Sequence, residues 1–323
     1  MIILIALLLS NIMCFNLHAS PEARNTEALC IAHRLATGYG SHNTGNSYLF
    51  KKRSHRIYDY YYDEYSENNY RAKRAIIIGA SVGMGRALAK LLAADGYIVG
   101  MTARRVSLLE QLQQEIPTQT YISYMDVSNP DDAVNRLNQM IEDMGGLDLL
   151  VIAATGFWDC DFDDSDWKKS LGVLNVDVVG FFALARTGLN FFENQGYGHL
   201  VGFSSIDGLR GIATHQAYSA SKAFCSRYLE AERNKFMQKN MPIFVTELCP
   251  GWINSNGDTD YTEIPYAYWV ETLDDAMSDI MEAINNKEHV AYITKRWKKV
   301  ADLLATIPTD LYNALSARPG GGF

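Results

Sequence analysis

From Arg71 onward, short apolar runs alternate with amphipathic stretches, and this alternation restricts the fold more than any other feature of the chain. Ala75–Ile78, Tyr97–Thr102, Tyr121–Met125, Leu147–Ala153, His199–Ser204, Ile243–Leu248 and Val290–Thr294 read as strands. Between and after them, Arg86–Ala94, Val106–Glu115, Asp131–Met144, Trp167–Phe192, Ala217–Lys235, Leu273–Asn285 and a last segment through Tyr312 read as helices. Runs that are apolar at every position suit strands covered on both faces, and strands linked by helices lie parallel. The expected architecture is therefore α/β: one Rossmann-type, doubly wound parallel sheet of about seven strands, flanked by helices on both faces.

The rest of the chain narrows the function classes. With 48% hydrophobic residues among 323, there is ample material for a core. A net charge of -8, with Lys51-Lys52-Arg53 as the longest basic run, argues against a nucleic-acid partner. The five cysteines (Cys14, Cys30, Cys160, Cys225, Cys249) show no C-x-x-C spacing, so neither a disulfide framework nor a metal site is expected. No Asn-x-Ser/Thr acceptor occurs, which disfavours a glycosylated secreted protein. Residues 1–20 contain the apolar runs Ile2–Leu9 and Ile12–Phe15, but no basic residue precedes them. They fit a signal or anchor, or else a translated leader or weakly structured tail. Residues 21–70 form a polar, Tyr-rich arm without apolar period, expected to be poorly ordered; 71–317 form the folded domain and 318–323 a flexible tail. A cytoplasmic location is expected, the alternative being anchoring or export through residues 1–20, where any membrane contact would lie.

Two stretches carry chemistry. After the first strand, Gly79-Ala80-Ser81-Val82-Gly83-Met84-Gly85 leads into a helix. Glycines there let a backbone approach a pyrophosphate, and the helix N-terminus offers free N–H groups and a positive dipole end. Farther on, Tyr218 and Lys222 stand four residues apart on one helix face. An ammonium about 6 Å from a phenol, at an effective dielectric of about 20, favours the phenolate by roughly 3 kcal/mol, or about two pKa units. The pair is therefore expected to bring a tyrosine toward working pH. Taken alone it also fits a half-buried Tyr beside a solvated Lys.

In combination these motifs resemble the short-chain dehydrogenase/reductase family, over about Arg71 to Tyr312. The turn Gly79–Gly85 matches TGxxxGxG with Ile78 in place of Thr, and Asp126-Val127 matches the adenine-contacting Asp and its neighbour. Ala153-Ala154-Thr155-Gly156 stands where N-N-A-G is usual and lacks both amides. Asn175 in Leu174-Asn175-Val176 matches the long-helix Asn, and Ser205 lies at the family's distance before Tyr218. Pro250-Gly251-Trp252-Ile253-Asn254-Ser255 matches P-G-x-I-x-T, with Ser255 for Thr.

The resemblance implies a catalytic set of Asn175, Ser205, Tyr218 and Lys222, and cofactor contacts from Gly79, Ser81, Gly83, Met84, Gly85, Arg104, Asp126, Val127, Tyr218, Lys222, Pro250, Gly251, Ile253 and Ser255. Tyr218 would be the acid/base, Ser205 would hold the carbonyl oxygen, and Lys222 would lower the Tyr218 pKa and bond the ribose. Asn175 would position a water linking Lys222 to solvent. The second strand ends in Thr102-Ala103-Arg104-Arg105 without a carboxylate. Arg104 suits a bidentate 2'-phosphate contact, so NADP(H) is favoured over NAD(H), while Arg105 fits a helix start facing water. Phe157, Trp158, Trp252, Tyr261, Tyr266, Tyr268 and Trp269 would rim the mouth and suit an apolar carbonyl or alcohol. Asp159, Asp161, Asp163, Asp164 and Asp166 read as a solvated loop, and no metal is expected. A homodimer or homotetramer is implied, and a non-catalytic NADP(H)-sensing protein on the same fold is the alternative.

Overall fold

The structure, a computed structural model, describes residues 72–156, 167–255 and 269–316. The apolar segment 1–20, the arm 21–70 and the tail 318–323 lie outside these residues, as do Phe157, Trp158, the aspartates from Asp159 to Asp166, Tyr261, Tyr266 and Tyr268.

The chain begins with β1 (Arg74–Ile78), α1 (Gly83–Ala94), β2 (Ile98–Ala103), α2 (Val106–Glu115) and β3 (Thr120–Tyr124). It continues through α3 (Pro130–Met144), β4 (Leu149–Ile152) and α4 (Trp167–Leu174), then a π-turn (Asn175–Gly180) that runs directly into α5 (Phe181–Gln195). After β5 (Gly198–Phe203) come a 3-10 turn (Ile206–Leu209), α6 (Gln216–Lys239) and β6 (Ile243–Pro250). The last elements are β7 (Ile253–Asn254), β8 (Glu271–Thr272), α7 (Leu273–Asn285), β9 (Val290–Ile293), α8 (Trp297–Thr306) and α9 (Thr309–Ser316). Seven strands form one parallel sheet in the order β3-β2-β1-β4-β5-β6-β9, as the alternation of runs predicts.

Two apolar layers cover the sheet because successive side chains of each strand point to opposite faces. Ala75 and Ile77 of β1 pack with Leu88 and Leu92 of α1, Leu109 of α2 and Ile280 of α7. Ile76 and Ile78 pack on the other face with Leu137 of α3, Leu184 and Phe192 of α5, and Leu229 and Phe236 of α6. Local sequence sets the helix ends. Pro130 opens α3 above Asp131 and Asp132 in its first turn, which complement the helix dipole, and Gly145 closes it in the left-handed region at φ 72°.

Two expectations change. The long helix Trp167–Phe192 is interrupted by the π-turn, and the segment through Tyr312 is two helices that part at Pro308. The two-residue pair β7–β8 was not legible as strands; it pins the Pro250–Ser255 segment near α7. In the strand order, β1 and β4 adjoin where the winding reverses, so the crevice for a ligand opens beyond their C-terminal ends.

Candidate active site

A cavity of ≈ 1660 Å³ fills that crevice. At one end lies the turn between β1 and α1. The Gly79 and Ala80 N–H groups both donate to the Thr102 carbonyl, at 2.9 and 3.1 Å, which draws the turn over β2. Gly79 has φ 95°, and a Cβ there would lie 2.6 Å from the Ala154 nitrogen. Val82 supplies no side-chain cap to α1, whose first residues, Gly83, Met84 and Gly85, line the cavity. An uncapped helix start with backbone this accessible fits a pyrophosphate.

Arg104 and Arg105 follow β2 at the same end. Arg105 is exposed at the N-cap of α2, as expected, and its Nη2 also donates to Ser81 Oγ at 3.2 Å, which draws the guanidinium toward the glycine turn. Arg104 also lines the cavity. Asp126 and Val127 border it beyond β3. The Asp126 Oδ1 accepts from the Ser128 N–H at 3.0 Å and from its hydroxyl at 2.8 Å, which fixes the carboxylate at the cavity wall. Together, the turn and this wall fit a dinucleotide cofactor.

The other end gathers side chains from β4, β5, the π-turn and α6. Ser205 begins the 3-10 turn, where its Oγ accepts from the Asp207 N–H at 3.2 Å. Gly208 lets this turn rest on α6, since a Cβ would meet the Lys222 carbonyl carbon at 2.7 Å. That contact brings Ser205 to Tyr218, whose hydroxyl it hydrogen-bonds. The Lys222 Nζ lies 5.4 Å from the Tyr218 ring centroid and 3.5 Å from the Phe203 carbonyl oxygen. Ser205, Tyr218 and Lys222 thus line one cavity wall.

Asn175 is not brought to that wall. It is half-buried in the π-turn and does not line the cavity. Asp177, two residues on, does not line the cavity either, but it lies buried behind that wall with Oδ2 3.4 Å from Lys222 Nζ. It also accepts from the Gly156 N–H at 2.8 Å, and from the Thr155 and Ser221 hydroxyls at 3.2 Å each. The carboxylate therefore ties the β4 loop to α6, a support that Ala153 and Ala154 cannot give. Sequence reading missed it, although an Asp within Val176-Asp177-Val178-Val179 is costly to bury unless a cation meets it, and that is the available signal.

The electrostatics also depart from expectation. Burial raises the Tyr218 hydroxyl above the usual tyrosine range; Lys222 pulls it down, Asp207 and Asp177 push it up, and the Ser205 hydrogen bond lowers it. The net direction is upward, opposite to the Tyr–Lys pair considered alone. Burial opposes the charge on Lys222, but Asp177 and then Tyr218 outweigh it, and the ammonium is held above its ordinary value. Burial alone lifts Asp207 to about 6.

Pro250, Gly251, Ile253 and Ser255 close the remaining side. The Gly251 N–H donates to the Ile293 carbonyl at 2.7 Å, and the Trp297 indole occupies the space a Gly251 side chain would need. Trp252 and Trp269 are half-buried nearby, and Trp269 tilts against Trp297 with centroids 5.3 Å apart. Among the described residues no group of three or more His, Cys, Asp and Glu could hold a metal ion.

The family model described as short chain dehydrogenase matches residues 73–264. An uncharacterized oxidoreductase of Myxococcus xanthus is 34% identical over 212 residues, covering 65% of this chain and 82% of its own. A solved 7beta-hydroxysteroid dehydrogenase superposes with a TM-score of 0.62 at 24% identity, over 74% of this chain and 94% of that one. ElxO, solved with NADP bound, gives 0.59 at 20% identity over 69% and 97% of the two chains. With the family match spanning more than half of its length, the chain belongs to the short-chain dehydrogenase family and is an oxidoreductase of that type.

Proposed function

We propose that the protein is an NADP(H)-dependent oxidoreductase acting on a carbonyl or alcohol, with Tyr218 as acid/base. The observation that carries this reading is the layout of one cavity, with Ser205, Tyr218 and Lys222 at one end and an uncapped α1 start with Arg104 and Arg105 at the other. When bound, the nicotinamide supplies or accepts the hydride. The backbone of Gly79, Ser81, Gly83, Met84 and Gly85 would hold the pyrophosphate, and Arg104 and Arg105 the 2'-phosphate. Asp126 and Val127 would border the adenine, while Pro250, Gly251, Ile253 and Ser255 would cover the nicotinamide.

In reduction, the Ser205 hydroxyl donates to the carbonyl oxygen and steadies charge developing there. Tyr218 gives its hydroxyl proton to that oxygen, and Lys222 stabilises the phenoxide left behind. An apolar substrate is suggested by the aromatic residues after Pro250, of which Trp252 and Trp269 are half-buried and do not themselves line the cavity. Exposed Trp167, Leu171, Val179 and Phe182 give the α4–α5 helix an apolar strip suited to a homodimer or homotetramer. The location in this reading is the cytoplasm, with a membrane-anchored or exported form through residues 1–20 as the alternative.

The test is NADPH oxidation by the full chain over a panel of ketones, aldehydes and quinones, with NADH and Tyr218→Phe in parallel. Turnover should prefer NADPH and fall at least about 100-fold in Tyr218→Phe, with NADPH affinity changed by less than about threefold. Undiminished turnover by Tyr218→Phe would remove the acid/base assignment.

A further inference from the structure

Asn175 was expected to serve Lys222 through a water, but the side chain the structure places against Lys222 is the carboxylate of Asp177, and its surroundings are specific. Asp177 and Lys222 have side chains only 0% and 3% exposed. Three donors converge on the Asp177 oxygens, the Gly156 N–H, the Thr155 hydroxyl and the Lys222 ammonium, and the Ser221 hydroxyl divides its one proton between Asp177 at 3.2 Å and the Tyr218 carbonyl at 2.8 Å. Such a donor set suits a group that only accepts. Among the described residues Lys222 therefore has one close full countercharge, at 3.4 Å, and a phenol ring centroid farther away at 5.4 Å.

We propose that Asp177 is a built-in counter-ion that cancels the Lys222 charge at Tyr218, keeps Tyr218 a phenol well past neutral pH, and so sets the pH window of proton transfer. Asp177 is then a positioning residue acting through Lys222. The inference rests on the reading of Tyr218 as proton donor.

The charged and titratable groups around Tyr218 come from four elements. Lys222 and Cys225 lie on α6, Asp177 on the π-turn, Asp207 on the 3-10 turn and Glu247 on β6. Burial pushes the Cys225 thiol up to about 12, so it stays neutral at physiological pH. Glu247 accepts from the Ser204 hydroxyl at 2.6 Å. Burial is the largest influence raising Tyr218; Lys222 opposes it, and the carboxylates of Asp207 and Asp177 offset part of that opposition, while Asp177 outweighs burial at Lys222. During reduction the Tyr218 O–H bond breaks and its proton goes to the substrate oxygen, while the hydride from the reduced nicotinamide goes to carbon. The phenoxide then regains a proton from solvent. The step needs the phenol, so it persists to high pH; the reverse step needs the phenoxide and requires alkaline conditions.

The test compares wild type, Asp177→Asn and Tyr218→Phe, each as the full chain labelled with 13Cζ-tyrosine. The Tyr218→Phe spectrum assigns the Tyr218 resonance, and circular dichroism marks the highest pH at which the fold is intact. Asp177→Asn is isosteric and can still accept from Gly156 and donate to the Thr155 and Ser221 hydroxyls; the contact it loses is the one to Lys222. Wild-type Tyr218 should remain protonated at pH 10, whereas in Asp177→Asn its titration should move down by at least about one unit. The alkaline limb of NADPH-linked reduction should move by the same amount. An unmoved Tyr218 resonance overturns the counter-ion role whatever turnover does. A moved resonance with an unmoved activity profile keeps that role and overturns Tyr218 as the proton donor. Should Asp177→Asn fail to fold, the wild-type titration still decides, because ionisation of Tyr218 below about pH 10 overturns the inference.

Discussion

Gly85 has no room for a side chain because the Gly79 carbonyl oxygen lies against it; a Cβ there would fall well inside van der Waals contact with that oxygen. The relation couples the first turn of α1 to the end of β1, and both belong to the proposed pyrophosphate cradle. Gly85→Ala must therefore move backbone at one of these two places. The expected cost is about 1–3 kcal/mol of stability, with cofactor affinity down at least about tenfold. Gly172 in α4 is the control. Among the described residues nothing lies within 4 Å of a Cβ there, so Gly172→Ala should leave binding alone and stabilise by up to about 1 kcal/mol. Thermal melts and NADPH titrations of both variants check the contrast, and equal effects would remove the steric argument.

Cofactor preference is proposed to reside in the two guanidiniums after β2. Arg105 is held over the glycine turn by Ser81 Oγ at 3.2 Å, and both Arg104 and Arg105 line the end of the cavity where the proposed 2'-phosphate would sit. A charge-assisted contact of this kind contributes about 1.5–3 kcal/mol. Arg104→Ala and Arg105→Ala should each weaken NADPH about 10- to 100-fold at low ionic strength, while NADH affinity changes by less than about threefold. Calorimetric titration with both nucleotides reads this out; parallel losses for NADPH and NADH would mean that the arginines contact something common to both.

The sheet was legible because its strands are buried on both faces and so appear as apolar runs; Ala75–Ile78 differs from the observed Arg74–Ile78 by one residue. The Tyr218–Lys222 pair was legible for the same kind of reason, since four residues along a helix fix a neighbour. The Asp177–Lys222 pair was not, because its partners belong to different helices. The π-turn adds to the difficulty: it inserts an extra residue per turn, so a straight-helix reading of Trp167–Phe192 cannot tell which of Asn175 and Asp177 faces α6. Desolvation is invisible to spacing, which is why the Tyr–Lys pair alone predicts a lowered phenol and the folded site raises it. The pairing β7–β8 involves only two residues on each strand, too few to show a period.

Asp207 supplies a test of the buried site that needs no substrate. Burial lifts its carboxyl to about 6 from the ordinary 3.8. A carboxyl whose folded pKa is raised binds its proton more tightly in the native state, so the native state loses stability as pH rises through the window from about 4 to 6. Above that window the full penalty applies, about 3 kcal/mol. Asp207→Asn removes the ionisation. Its advantage over wild type should be near zero at pH 4 and grow to about 6–12 °C in Tm above pH 6. Buried His199, held down to about 3 by burial and by Lys287, acts in the opposite sense, withdrawing stability as pH falls below its ordinary 6.5. Because His199 is present in both proteins, its contribution cancels in the difference between the two melting curves. A Tm gap that stays constant from pH 4 to pH 8 would mean that Asp207 ionises in the folded protein as it does in water.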